Sequence, residues 1–253
     1  MQIDLETLLR GKATSIKGKD YFPTAAYVEP FLERMSKLTN NFRINVKLPD
    51  QITKDDELED VTYNRVNIEA ILPDEYAFEG HKRVVGFVYA LDTRKAIVKQ
   101  YVGAIRSACL NLCVFNPDAL QVSEIEPETA INYSFLSNCL SLVDSTNSIL
   151  TKLSNITYSK GQCQENLGNW IDNTIKCSFT RGFGKVKLSE STPIEAYKNL
   201  FYNEKSSYYS KENEVTGFDI YNSFTDLVCN GTRADILNRF EKVFLVAQIL
   251  NLV

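Results

Sequence analysis

The spacing of apolar positions changes period along this chain, and each change marks a different kind of element. Residues 3–9 predict a short helix. Tyr27, Phe31, Met35 and Leu38 recur every three or four positions, the spacing that lines one face of a helix. Thr24 stands ahead of them, where a side-chain oxygen can accept from a free helix N–H. A helix over 24–38 follows. Residues 11–21, with Lys12, Lys17 and Lys19, read as a basic, glycine-containing connector or mobile arm.

Past residue 40 the period falls to two. Phe42-Arg43-Ile44-Asn45-Val46-Lys47-Leu48 alternates, and 61–72 and 83–92 are rich in β-branched and aromatic residues between turn-forming stretches. These predict antiparallel strands. In 96–115, Ile97, Val98, Tyr101, Val102, Ile105, Leu110, Leu112 and Val114 suit a buried strand pair or a helix leading into a strand, and the strand is favoured.

From residue 128 the pattern is helical. Ile131, Phe135, Leu136, Leu140, Val143, Ile149 and Leu153 trace one apolar face, and 166–179, 193–202, 218–229 and 233–252 supply further helices. The polar stretch 203–216 reads as a surface loop. Strands followed by helices predict an α+β fold, with an N-terminal antiparallel sheet and a C-terminal block of helices packed on it. A single domain over 1–253 is expected, strand-rich at about 40–116 and helical at about 128–253.

Composition narrows the class. With 44% hydrophobic and 24% charged residues among 253, the chain can bury a core without staples. A net charge of −4 excludes a globally basic surface, so any nucleic-acid contact must come from a local patch. Acids occupy the first residues, where a secretory signal needs positive charge, and no apolar run approaches the roughly 20 residues that cross a bilayer. A cytoplasmic protein with no membrane partner is expected. Cys109, Cys113, Cys139, Cys163, Cys177 and Cys229 form no C-x-x-C pair and read as small buried hydrophobes in a reducing compartment. The sequons at Asn132, Asn155 and Asn230 have no use there.

Catalytic chemistry finds few footholds. His81, the only histidine, lies in Glu79-Gly80-His81-Lys82, read as a turn before a strand, and no G-x-S-x-G accompanies it; a surface histidine is expected. With Cys109 and Cys113 it does not complete the four ligands of a structural zinc. The acidic run 55–60 lacks the glycine and ligand spacing of a calcium loop. Glycine-rich phosphate loops are absent. Glu124, Glu126 and Glu128 have the chemistry of metal-dependent nuclease ligands, but their spacing does not single them out. No catalytic residue, metal or cofactor is predicted.

The most specific string is Arg181-Gly182-Phe183-Gly184-Lys185-Val186-Lys187-Leu188. It resembles the first ribonucleoprotein signature of RNA-recognition modules, with Lys185 and Leu188 at two aromatic positions. It reads as a glycine-hinged turn into a short strand. Its aromatic, its cations and its flexible backbone suit a single-stranded nucleic acid.

Three further strings are Tyr21-Phe22-Pro23-Thr24; Leu91-Asp92-Thr93 through Arg106-Ser107-Ala108-Cys109-Leu110-Asn111-Leu112; and Gly217-Phe218-Asp219-Ile220-Tyr221-Asn222-Ser223-Phe224-Thr225. Together they resemble a family found in phages and plasmids, catalogued as domain of unknown function 932. The second is similar to its aspartate-containing turn followed by R-x-x-C-x-N, and the third to its Y-N-A-x-T. Leu112 stands where the family usually has glycine and Ser223 where it has alanine. The resemblance implies a mobile-element context, no established reaction, and a shared motif of Arg106, Asn111, Tyr221, Asn222 and Thr225. The competing view is that Asn222 and Thr225 cap and pin the helix they begin.

The expected function is a non-enzymatic phage or plasmid protein of DNA metabolism, of recombination or annealing type. It would bind single-stranded nucleic acid through Arg181, Phe183, Lys185 and Lys187, helped by Lys12, Lys17 and Lys19. The alternative is an interaction protein, an anti-defence factor or virion component, that binds a host or phage protein. A metal-dependent nuclease is the third class. A homo-oligomer is compatible with all three.

Overall fold

The structure, a computed structural model, describes residues 5–10, 14–16, 19–21, 24–47, 53–54, 61–62, 65–76, 80–91, 96–106, 112–115, 117–126, 131–180, 185–229 and 233–252. In chain order the elements are α1 (Leu5–Leu9), β1 (Thr14–Ile16), β2 (Lys19–Tyr21), α2 (Thr24–Leu38), β3 (Arg43–Lys47), β4 (Thr53–Lys54), β5 (Val61–Thr62), β6 (Arg65–Ile71), β7 (His81–Leu91), β8 (Ala96–Arg106), β9 (Leu112–Cys113) and β10 (Leu120–Ile125). Then come α3 (Cys139–Asn155), β11 (Thr157–Ser159), α4 (Lys160–Lys176), β12 (Phe179–Thr180), β13 (Lys185–Val186), α5 (Thr192–Phe201), β14 (Glu214–Thr216), α6 (Gly217–Cys229) and α7 (Arg233–Ile249). An antiparallel sheet in the first half and helices in the second make the fold α+β. The chain forms two compact units, Met1–Gly103 with Asp118–Leu142, and Ala104–Pro117 with Val143–Val253.

In the first unit the main sheet has strand order β10-β8-β7-β6-β3. The expected strands are present, and the favoured strand pair in 96–115 is formed by β8 and β9, whose register, Ala104 opposite Cys113 and Ile105 opposite Leu112, lies in the second unit. One face carries the apolar row. Tyr27 of α2 stacks on Tyr89 at 3.9 Å between centroids and lies 6.0 Å from Phe87. Phe31 meets the same Phe87 at 5.6 Å. Tyr133 adds a third ring beside Phe87 at 5.9 Å and donates its hydroxyl proton to the Tyr27 carbonyl.

The other face carries a polar row. Asn45 pairs in register with Glu69, and Glu69 with Gly86, so the three stand in line across β3, β6 and β7. Asn45 Nδ2 donates to Glu69 Oε2 at 3.1 Å, and the Tyr101 hydroxyl reaches Glu69 Oε1 at 3.2 Å and Asn67 Oδ1 at 3.4 Å. Gly86 permits that reach. A Cβ there would lie 1.8 Å from Tyr101 Cζ, so the ring occupies the space that any side chain would need.

Two expectations about this unit are corrected. Residues 14–21 are not merely a connector, because β1 and β2 pair as a hairpin with Thr14 opposite Tyr21. His81 is not a surface residue in a turn. It opens β7 and is 5% exposed, while Lys82 faces outward and Arg83 inward, so the alternation begins two residues earlier than read. The turn itself is made at Gly80, whose φ of 79° suits a residue without a side chain.

The second unit is helical, with short ladders that set where helices begin. β11 and β14 pair with Ser159 opposite Glu214 and Thr157 opposite Thr216. Each strand ends in a helix cap. Ser159 Oγ accepts from Gln162 N at 3.3 Å while Gln162 Oε1 accepts from Ser159 N at 2.8 Å, a capping box that starts α4 at Lys160 rather than near 166 as expected. Thr216 Oγ1 accepts from Asp219 N at 3.0 Å, and Asp219 Oδ2 accepts from Thr216 N at 3.0 Å. The stretch 203–216 is therefore not wholly a surface loop: it ends in β14, and Tyr208 within it is buried. We expect Thr216→Ala to cost about 1 kcal/mol, seen as a lower urea midpoint at unchanged slope. An unaltered midpoint would mean that Asp219 alone satisfies the helix start.

The buried stripe of α3 is Cys139, Val143, Thr146, Leu150 and Leu153; Val143 and Leu153 belong to the expected face, while Cys139 and Leu150 replace the neighbouring Leu140 and Ile149, which are half-buried. Residues 134–138 before it form a 3-10 turn. α6 is buried on nearly all sides, as suits a central helix. Phe224 meets Trp170 of α4 edge-on at 5.7 Å.

Candidate functional site

The β12–β13 hairpin follows from a two-residue alternation. Phe179 pairs with Val186 and Thr180 with Lys185. Val186 and Leu188 are buried, while Lys185 and Lys187 are exposed, so the two lysines share the solvent side. Phe179 is half-buried and meets Phe244 of α7 edge-on at 6.0 Å, which anchors the ladder to the helices. Lys187 has a second role. Its Nζ donates to the Ile175 carbonyl at 3.4 Å, placing a cation at the C-terminal end of α4, where the helix dipole favours one. Lys176 is exposed in the same last turn, and Ile175 is 47% exposed. The patch thus combines three lysines with an apolar side chain.

Arg181 and Phe183, the other members of the string, lie outside the described residues, as do Lys12, Lys17 and Asn111. Lys19 stands in β2 opposite Ile16, and Arg106 ends β8. Of the carboxylates weighed as nuclease ligands, Glu124 lies exposed on β10 and Glu126 just beyond it, while Glu128 lies outside the described residues. Cys109 also lies outside. Among the described residues Cys113, Cys139 and Cys163 are buried and Cys177 and Cys229 half-buried, and none of the five is in a disulfide. No described helix is long and apolar enough to cross a membrane.

The family-like string is structural where it is described. Asn222 and Thr225 do not begin a helix; they sit inside α6, fully buried and bonded to their own backbone. Asn222 Nδ2 donates to the Phe218 carbonyl at 2.9 Å and Thr225 Oγ1 to the Asn222 carbonyl at 3.2 Å. Tyr221 packs on Phe115 at 4.7 Å and its hydroxyl accepts from Val114 N at 3.3 Å, tying the segment after β9 to α6. Burial holds the Tyr221 phenol well above its usual pKa.

A second exposed group, not singled out in the sequence, lies at the other end of α4. Lys160, the first residue of that helix, places Nζ 4.0 Å from the ring centre of Tyr202, which is 62% exposed just past the end of α5. Tyr197 lies beneath, 5.9 Å between centroids. Burial raises the Tyr197 pKa and the neighbouring Tyr202 hydroxyl raises it further, although the buried Tyr197 hydroxyl forms no hydrogen bond of full geometry. The only sequence signal was an aromatic residue at the end of a helix, which is usually core.

No family model, no curated protein and no solved structure matches the chain.

Proposed function

We propose that this chain binds single-stranded nucleic acid without catalysing a reaction, as a phage or plasmid protein of DNA metabolism. The observation that carries the proposal is the placement of Lys185 and Lys187 on one open side of the β12–β13 hairpin, with Lys176 and the exposed Ile175 at the adjoining helix end. On an acidic chain such a local cluster is the kind of patch that can neutralise phosphates. An apolar side chain beside it gives a base something other than water to rest on. The resemblance of three strings to the phage and plasmid family supports the mobile-element setting.

Binding of this kind weakens as salt rises, because neutralised phosphates release counterions. Replacing Lys185 and Lys187 together with alanine is expected to flatten the plot of log affinity against log salt by roughly 0.7 for each single-strand phosphate that is no longer neutralised. Lys187→Ala alone is expected also to lower stability slightly, because it leaves the Ile175 carbonyl without its cation. The measurement is fluorescence anisotropy of a labelled oligonucleotide across a salt series. A wild-type chain with no salt-sensitive affinity for single-stranded DNA or RNA at low ionic strength would overturn the proposal and favour a protein partner.

A further inference from the structure

Ile194, Tyr197, Lys198, Tyr202 and Leu227 line an open depression of about 640 Å³ on α5 and its neighbour α6. Three features set it apart. It contains two of the three large apolar side chains that stand exposed among the described residues, Ile194 at 39% and Tyr202 at 62%, the third being Ile175 of the lysine patch. The Tyr202 ring is backed by the Lys160 ammonium at 4.0 Å, an attraction that holds the ring in place as a stacking surface by drawing on its electron-rich face. Beside it the Tyr197 side chain is 7% exposed, and its buried hydroxyl makes no hydrogen bond of full geometry, the Tyr202 hydroxyl being the group near it, although buried hydroxyls are nearly always well bonded.

We propose that this depression receives one base of a bound single strand, stacked on Tyr202 with its edge bonded to the Tyr197 hydroxyl and Lys198 beside its phosphate. The inference rests on the nucleic-acid reading above and extends it to a second point of attachment. A flat aromatic ligand fits an exposed tyrosine backed by a cation, and a lining hydroxyl that lacks a well-formed hydrogen bond fits the polar edge that every base carries. The two points lie at opposite ends of α4, since Lys160 opens the helix and the carbonyl bonded by Lys187 lies in its last turn. At about 1.5 Å per residue that separation is roughly 22 Å. An oligonucleotide of several residues can span it, within the range of about 4–16 nucleotides that comparable single-strand modules cover.

The experiment measures anisotropy of a fluorescein-labelled oligothymidylate with the full chain. Tyr202→Ala is expected to bind about five- to a hundredfold more weakly with an unchanged salt slope, because the stacking surface goes while every phosphate keeps its cation. Tyr202→Phe keeps the ring and is expected to retain most of the affinity. Tyr197→Phe removes a hydroxyl that makes no well-formed hydrogen bond in the chain, so it should change the melting temperature little, yet it is expected to weaken binding about two- to tenfold. Tyr202→Ala binding as the wild type, while the Lys185 and Lys187 double variant binds less, would overturn the base pocket and leave the proposed function standing. A Phe variant as weak as the Ala variant would overturn stacking as its basis. No binding by the wild type would overturn both.

Discussion

Gly86→Ala is expected to destabilise the chain by about 3 kcal/mol, although it adds only one methyl group to a strand. The methyl would sit 1.8 Å from Tyr101 Cζ, 2.0 Å from Cε1 and 2.3 Å from the hydroxyl oxygen. Nothing nearby can give way cheaply. The Tyr101 ring is fully buried and its hydroxyl is held by Glu69 and Asn67, themselves buried on the next strand but one. Moving the ring would therefore break those hydrogen bonds as well as the packing, removing a donor from a buried carboxylate. The cost should come from the ring and not from β propensity. Gly86→Ala in a Tyr101→Ala background is accordingly expected to cost much less, and urea denaturation of the four proteins in that cycle isolates the coupling. Equal costs in both backgrounds would mean that the strand backbone, not the tyrosine, excludes the methyl.

The same row shows what was legible in the sequence and what was not. Alternation found β3, β-branched and aromatic content found β6 and β7, and β8 was favoured over a helix, because each crosses an apolar face: Val46, Ile68, Phe87 and Val98 are all buried. Local pattern could not show that the opposite face is also buried in the middle strands. Asn67, Glu69 and Lys99 are polar, so by pattern they read as solvated, whereas each is 5% exposed or less. That burial depends on Gly86 and Tyr101 meeting across strands, which no local window contains. His81 was misplaced for the same reason, since a polar string around a glycine looks like a turn until its partner strand is known. The α3 stripe was read correctly at Val143 and Leu153 and off by one at Leu140 and Ile149, because Cys139 and Thr146 carry part of it and neither ranks with leucine on an apolar scale. The start of α4 was legible and missed: Ser159 with Gln162 has the spacing of a capping box, and only apolar periodicity was followed there, whereas α6 begins within one residue of the expected 218. Of the candidate site, the lysine alternation at Lys185 and Lys187 was local and readable. Tyr202 with Lys160 was not, because the two are 42 residues apart and meet only through the packing of α4 beside α5.

Stability is expected to fall between about pH 9 and 11, through thiols in both compact units. Burial pushes the Cys139 thiol up to about 11, against backbone hydrogen bonds that lower it slightly, and burial alone pushes the Cys163 thiol to about 11, in each case from a usual 9.0. The sign follows from proton binding. Below pH 9 both thiols are protonated folded and unfolded, and pH has no leverage on them. Between 9 and 11 the unfolded chain has given up these protons while the folded chain still holds them, so folding takes up protons and stability falls as pH rises. A rise of that size is worth at most about 3 kcal/mol for each thiol, against a total of about 5–15 kcal/mol for a typical domain. From pH 10 upward the buried phenols of Tyr27 and Tyr221 act in the same direction, since burial raises both. Urea midpoints at pH 8, 9.5 and 10.5 should therefore decline, and Cys163→Ala should make that decline shallower even though its cavity lowers stability at every pH. The change in slope, not the midpoint at one pH, carries the test. Midpoints that stay level from pH 8 to 10.5 would show that both thiols ionise in the folded chain as readily as in the unfolded one.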